Sequence, residues 1–305
     1  MIYNIKDRTF TRSQDLNYKR WYASLVRTSD NKLVLIGGTD DVNQIPSITP
    51  EILDLNKLEN GWRPLYKASN ENLFGESDQK NKEWNYPRSY LSSDGNIVGI
   101  SYNKIWMMDK DDDFRAFQTN EIELETAGIS GIIEDTNLNH ELKGHIHQNH
   151  HDDIKQLRIL TTSSPVGHKN STVMIGKDIV YLFGGKQIGE EYSASNKVIK
   201  IDFSDSRNPK ILKANSMQMP RVDANATILP NGKVFINGGT AYKDLQFSIY
   251  QSEIYDPFIE KSELMDKGYF RRNYHSTALL LPNGTILVSG GDVWNSEIFD
   301  EWIIY

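Results

Sequence analysis

Five times along this chain the same short arrangement returns: an apolar strand, a tight turn, a second apolar strand and, in four of the five, a pair of glycines. The clearest copies are residues 20–38 (RWYASLVRTSDNKLVLIGG), 221–239 (RVDANATILPNGKVFINGG) and 272–291 (RNYHSTALLLPNGTILVSGG). Residues 168–185 (HKNSTVMIGKDIVYLFGG) make a fourth, and residues 86–101 (YPRSYLSSDGNIVGIS) a weaker fifth without the double glycine. A unit repeated at a period near 50 residues constrains a fold more than any single motif, because each copy must bury its faces against its neighbours. Gly185, Gly239 and Gly291 follow one another at intervals of 54 and 52 residues; the 147 residues from Gly38 to Gly185 span the weaker copy and an insertion. The turns Asp94-Gly95, Asn231-Gly232 and Asn283-Gly284 carry residues that tolerate positive φ, which predicts two-residue hairpin loops.

A third short strand follows most hairpins with a repeated look: residues 51–54 (EILD), 197–202 (KVIKID), 253–256 (EIYD) and 297–300 (EIFD). Residues 62–65, 211–212 and 262–264 stand where a fourth would lie. Four antiparallel strands per repeat, from a buried inner strand to an exposed edge, describe the blade of a β-propeller, and the double glycine marks the kelch type. The expectation is an all-β, kelch-type β-propeller over residues 1–305, with about five four-stranded blades starting near residues 19, 86, 166, 220 and 272. Apolar runs at 33–36, 180–183 and 286–288 suit strands buried on both faces between stacked blades. An ordinary β-sandwich leaves the fixed spacing from hairpin to double glycine unexplained. Residues 2–4 and 9–16 look like the last strands of an upstream blade, within residues 1–17, and the fifth blade shows three strands. An incomplete arc of a seven-bladed propeller is therefore expected, the alternative being a five-bladed ring closed by residues 9–16.

Between about 114 and 158 the pattern dissolves into a polar insertion holding five of the seven histidines, His140, His145, His147, His150 and His151, followed by Asp152 and Asp153. Such a cluster can take Zn, Ni or Cu, but its spacing implies no fixed geometry, and a solvated loop is the simpler reading. The acidic run Asp109, Asp111, Asp112 and Asp113 lacks the spaced ligands and turn glycine of a calcium loop. A formal charge of −7 argues against a nucleic-acid partner. No apolar run approaches the roughly 18 residues of a membrane helix, and the first residues lack the apolar centre of a signal peptide. The sequence contains no cysteine, which excludes disulfides, thiolate ligands and any thioether cofactor made from its own side chains.

The hairpin that begins Arg272-Asn273-Tyr274-His275-Ser276 resembles the copper radical oxidases, the galactose oxidase and glyoxal oxidase family, in which a Tyr-His pair ahead of an apolar run supplies two metal ligands. The first hairpin, with Arg20-Trp21-Tyr22, is similar to the family's Arg-x-Tyr segment. The resemblance extends from Ile2 to Tyr305, including Met219-Pro220-Arg221 and residues 253–257. It implies copper held by two tyrosines and two histidines, a tyrosine-cysteine thioether, and oxidation of primary alcohols or aldehydes by oxygen with release of hydrogen peroxide. Carried over by motif, Tyr22 is the radical-bearing ligand, Tyr274 the axial phenol and candidate base, and His275 an imidazole ligand. Both tyrosines stand nine residues before a turn asparagine, Asn31 or Asn283, so equivalent positions in their blades are expected to bring both phenols toward one end of the propeller axis.

Two departures from the family qualify this. The cross-linking cysteine is missing, so no Tyr-Cys cofactor can form, and the family's second histidine belongs to a C-terminal sandwich domain beyond the sequence. Adjacent residues of a regular strand face opposite ways, so Tyr274 and His275 can converge only at a strand start or bulge. Trp21, beside Tyr22, could screen a radical or line a pocket, although packing is the commoner use of such a residue. Two functions remain open: a partial or inactive copper-oxidase-like propeller, with a small alcohol, aldehyde or carbohydrate as parent substrate, and a non-catalytic module binding a protein or glycan.

Overall fold

The computed structural model describes residues 1–40, 42–43, 45–77, 81–123, 169–186, 194–241, 247–291 and 303–304. The chain divides into two compact units, the first made of residues 1–122 with 202–210 and the second of residues 123–201 with 211–305. The expected all-β, propeller-like architecture is present, as antiparallel sheets taken in chain order.

In the first unit, β1 (Ile2–Asn4) and β2 (Thr9–Thr11) form an exposed ribbon. The first blade runs β3 (Ser24–Arg27), β4 (Lys32–Ile36), β5 (Glu51–Asp54) and β6 (Arg63–Pro64) from inside to outside. A helix, α1 (Glu71–Phe74), is capped by Asn70, whose side chain accepts from Leu73 N–H, and it buries Leu73 and Phe74. A two-residue ribbon of β7 (Glu76–Ser77) and β8 (Asn81–Lys82) follows. The second blade is complete: β9 (Arg88–Leu91), β10 (Ile97–Ser101), β11 (Lys104–Asp109) and β12 (Arg115–Glu121). Val26, Val34, Ile36, Ile97, Trp106 and Met108 form the core between the blades, with Phe74 edge-on to Trp106 at 5.2 Å. The boundary expected near residue 114 is corrected here. Residues 115–121 are the outer strand of the second blade, disguised in the sequence because only Ala116 among them is buried.

The second unit holds a blade of β13 (Ser171–Ile175), β14 (Ile179–Phe183), β15 (Val198–Asp202) and β16 (Lys210–Ala214), then one of β17 (Val222–Ile228), β18 (Val234–Thr240), β19 (Gln251–Asp256) and β20 (Lys261–Lys267). The last sheet is β21 (Ser276–Leu280), β22 (Ile286–Gly290) and β23 (Ile303–Ile304). The third strand expected at residues 297–300 lies outside the described residues, and the strand paired to β22 is β23. Burial on both faces holds for β10 and β18 and for residues 180–183, whereas β4 and β22 alternate, with Leu25 and Leu279 on their neighbouring strands 56% and 54% exposed. The β15–β16 connection belongs with the first unit, where Ser206 is buried and donates to Asp94 Oδ2 at 2.7 Å.

Three-residue loops, rather than two-residue ones, close the hairpins. In the fourth blade Leu229 N–H donates to Lys233 O and Gly232 N–H to Leu229 O, and the same pattern recurs at Ser92–Asn96, Leu281–Thr285 and Thr28–Lys32. This is a turn followed by one left-handed bulge residue, so positive φ is needed once: at Asn31, Gly95, Gly232 and Gly284. The Asp or Asn before each of these glycines accepts the N–H of the residue after it, at 3.0–3.1 Å, which explains its recurrence.

The double glycine has its own cause. Gly38, Gly185 and Gly239 donate to the carbonyls of Trp84, Arg221 and Arg272, where the next blade begins, at 2.7, 2.7 and 2.5 Å. The first glycine of each pair lies so near that backbone that a Cβ on Gly238 would stand 1.9 Å from Arg272 O, and one on Gly37 2.7 Å from Trp84 O. Each pair thus joins one blade to the following one.

Candidate functional site

Just before the inner strand, an arginine anchors the start of the blade. Arg20 donates through Nε to Glu51 at 3.1 Å, through Nη1 to Gly37 O and Ser47 O, and through Nη2 to Thr49 O. Arg221 repeats the arrangement with Glu253 at 2.9 Å, Gly238 O and Gln251 O. All four side chains are fully buried. Burial pushes both guanidinium pKa values down, opposed by the paired glutamates. The glutamates are further satisfied, Glu51 by Asn17 and Tyr18 N–H and Glu253 by Gln218 N–H and Ser262 Oγ. These pairs fix the path of the backbone entering each inner strand. The sequence carried their signal, since Glu51 and Glu253 lie in third strands and follow Arg20 and Arg221 by 31 and 32 residues.

Past the arginine, the chain turns through a left-handed residue. Tyr22, Tyr86, Asp223 and His275 have φ of 65°, 49°, 56° and 64°, and each stands nine residues before the left-handed residue of its own hairpin, Asn31, Gly95, Gly232 or Gly284. The equivalence drawn between Tyr22 and Tyr274 is therefore corrected. Asn31 itself is the left-handed residue of its turn, whereas Asn283 precedes Gly284, so counting from the asparagines shifts the register by one. The structural counterpart of Tyr22 is His275, and that of Tyr274 is Trp21.

This corner lays one ring on its predecessor. Trp21 and Tyr22 stack with centroids 3.8 Å apart and planes at 19°, and Tyr274 and His275 stack at 3.8 Å and 28°. In the first unit Tyr22 also packs on Tyr86 at 4.5 Å, Tyr86 N–H donates to Tyr22 O, and the Arg88 guanidinium lies 5.9 Å from the Tyr86 ring centroid. In the second unit Lys169 Nζ lies 4.5 Å from the Tyr274 centroid and 2.7 Å from Asp223 Oδ2. Tyr86, Asp223 and Lys169 carried no motif of their own. Tyr22 belongs to the first unit, while Tyr274 and His275 belong to the second, where they are brought together. They meet the requirement of a strand start, directly ahead of β21.

The residues present at the Tyr274–His275 corner do not fit a resident copper ion. Ring donors bind a metal through lone pairs in the ring plane, and two nearly parallel stacked rings direct these alongside one another instead of toward a common point. The Lys169 ammonium, 4.5 Å from the Tyr274 ring centroid, adds a positive charge beside the same ring. Among the described residues no group of three or more His, Cys, Asp or Glu side chains is placed to hold a metal. His140, His145, His147, His150 and His151 lie outside the described residues. The acidic run is committed to ion pairs, Asp113 with Arg63, Asp112 with Lys67 and Arg115, and Asp109 with Arg207. No helix among the described residues is long and apolar enough to cross a membrane.

No family model matches the sequence. Among curated proteins it is similar to the aldehyde oxidase GLOX1 of Arabidopsis thaliana, 22% identical over 300 residues that cover 92% of this chain and 42% of that protein. Among solved structures it is similar to a fungal alcohol oxidase of the AA5 family, described as having catalytic diversity and determined in complex with copper. That match has a TM-score of 0.50 at 17% identity and covers 95% of this chain and 62% of the other. The chain thus spans less than half the length of the curated relative.

Proposed function

We propose that this chain, galactose oxidase/glyoxal oxidase-like in sequence and propeller-like in fold, is the propeller part of a copper radical oxidase-like protein and does not by itself carry out the oxidase reaction. The parent reaction removes two electrons and two protons from a primary alcohol or aldehyde hydrate and transfers them to oxygen, giving an aldehyde or acid and hydrogen peroxide. A small alcohol, aldehyde or carbohydrate is the corresponding substrate. The observation that carries this reading is the similarity to an aldehyde oxidase over 92% of this chain, together with the likeness of fold to a copper-containing alcohol oxidase. What speaks against turnover is the absence of any cysteine, together with the ring stack and the ammonium at Tyr274.

The test is a peroxidase-coupled assay of the copper-supplemented chain with galactose, glycerol, glyoxal and methylglyoxal, repeated after removal of residues 140–151 so that histidines there cannot sequester metal. The expected result is no peroxide above the level of free copper. Turnover that survives the deletion and disappears in Tyr22→Phe overturns the proposal. A second reading, a non-catalytic module for a protein or glycan, is favoured by Trp21, whose indole is stacked on Tyr22 yet 47% exposed. Glycan binding that is abolished by Trp21→Ala and indifferent to copper supports it.

A further inference from the structure

We infer that Lys169 serves the Tyr274–His275 corner as a built-in cation, filling the electrostatic role a metal ion has in an oxidase of this type and keeping divalent copper out. The inference rests on the family reading above. Three successive inner strands of the second unit meet here. Lys169 stands two residues before β13, Asp223 lies within β17, and Tyr274 and His275 lead into β21. Lys169 is held at both ends. Its carbonyl accepts from Asp223 N–H at 3.1 Å, and its ammonium pairs with the Asp223 carboxylate at 2.7 Å while facing the Tyr274 ring at 4.5 Å. The neighbouring strand starts are tied as well, Ser171 Oγ to Ala224 O at 2.5 Å and Asn225 Nδ2 to Ser276 Oγ at 2.8 Å.

The ion pair is partly shielded, with 30% of the Lys169 side chain and 16% of the Asp223 side chain exposed. Its charges are therefore screened less than those of a surface pair. The Asp223 carboxylate and the Tyr274 phenol, which Lys169 holds apart from other cations, are the oxygen donors a copper ion would seek here. Here the carboxylate is already neutralised and the phenol face already occupied by a cation. A second, divalent cation would have to displace the ammonium or accept its repulsion. The effect is local to this corner and does not depend on Tyr22.

The experiment is copper titration of the full chain in a background where His140, His145, His147, His150 and His151 are all alanine. The readouts are the Cu(II) electron paramagnetic resonance signal and the visible phenolate-to-copper charge-transfer band. The background protein is expected to show no such band. Lys169→Met, or Lys169→Gln if the first is poorly folded by circular dichroism, is expected to bind one equivalent at least tenfold more tightly and to gain the band, which Tyr274→Phe then removes. Lys169→Arg, which keeps the charge, should behave like the background. The inference is overturned if the background protein already binds one equivalent with the Tyr274-dependent band, if both neutral variants gain nothing, or if Lys169→Arg gains as much as Lys169→Met. These outcomes are read from binding, so they are separate from the peroxide assay that decides whether the chain is an inactive oxidase relative.

Discussion

Replacing Gly238 by alanine tests the physical account of the double glycine at the point where it is most demanding. Gly238 has φ of 69°, a region that costs an ordinary L-residue about 1–2 kcal/mol. The new methyl carbon would stand 1.9 Å from Arg272 O and 2.9 Å from Arg272 C, so the start of the next blade must retreat by more than 1 Å. Forced repacking of this kind costs about 1–3 kcal/mol. The displaced carbonyl is also the acceptor of Gly239 N–H at 2.5 Å, and loss of that bond adds about 0.5–1.5 kcal/mol. The sum is about 3–6 kcal/mol, a large part of the roughly 5–15 kcal/mol that holds a typical domain folded. Gly284→Ala is the control. Its φ is 85° but nothing lies within 4 Å of the added carbon, so only the conformational cost of about 1–2 kcal/mol applies. Urea unfolding followed by far-ultraviolet circular dichroism compares the two, with the slope of the transition checked for equality. If both substitutions shift the midpoint equally, the close approach of the next blade is not what the glycine is for, and the argument fails.

Other substitutions probe the remaining devices. Arg221→Met leaves Glu253 charged and buried and should cost about 3–5 kcal/mol in urea unfolding, whereas Arg63→Ala, which breaks the exposed pair with Asp113, should change the midpoint little. Burial opposes the ionised form of Asp94, but hydrogen bonds from Ser92, Ser206 and Asn96 outweigh it and hold the carboxyl pKa below its ordinary value. The stability this contributes is complete above about pH 4, the unfolded value, and is lost as pH falls through the lower folded value. Asp94→Asn should therefore flatten the decline of the urea midpoint at pH below 4, and an unchanged decline would refute the assignment. Tyr86→Ala removes the ring beneath Tyr22 and should lower stability by about 1–2 kcal/mol in thermal unfolding.

The parts of the fold legible in the sequence are those written locally. Apolar strand pairs, turn glycines and the double glycine lie within about 20 residues of one another, and they placed β3–β4, β13–β14, β17–β18 and β21–β22. The outer half of the second blade was not legible. No glycine pair marks the end of β10, and β12 is a polar edge strand that reads as the start of an insertion. The candidate site divided in the same way. Tyr22, Tyr274 and His275 were found because each belongs to a local motif. Lys169 and Asp223 are 54 residues apart and meet only because consecutive blades place their inner strands side by side.

The register error at Tyr274 has a physical content of its own. Asparagine tolerates the left-handed region nearly as a glycine does, so Asn31 can take the bulge position that Gly95, Gly232 and Gly284 hold elsewhere. Residue identity is then a poor anchor for alignment, whereas backbone conformation is a sound one. Measured from the left-handed bulge, all four corners fall at the same offset of nine and carry Tyr, Tyr, Asp and His. None of these is β-branched, as a positive φ requires. The strain is held by the hairpin on one side and, at Tyr22, Asp223 and His275, by a preceding arginine anchor on the other, so the corner side chain is left out of the packed core and its chemical type is free to differ between blades. A propeller built this way can change the groups it presents at each inner strand without repacking the blade. That freedom accounts for one corner holding a stacked phenol and imidazole while its neighbour supplies a carboxylate paired to lysine.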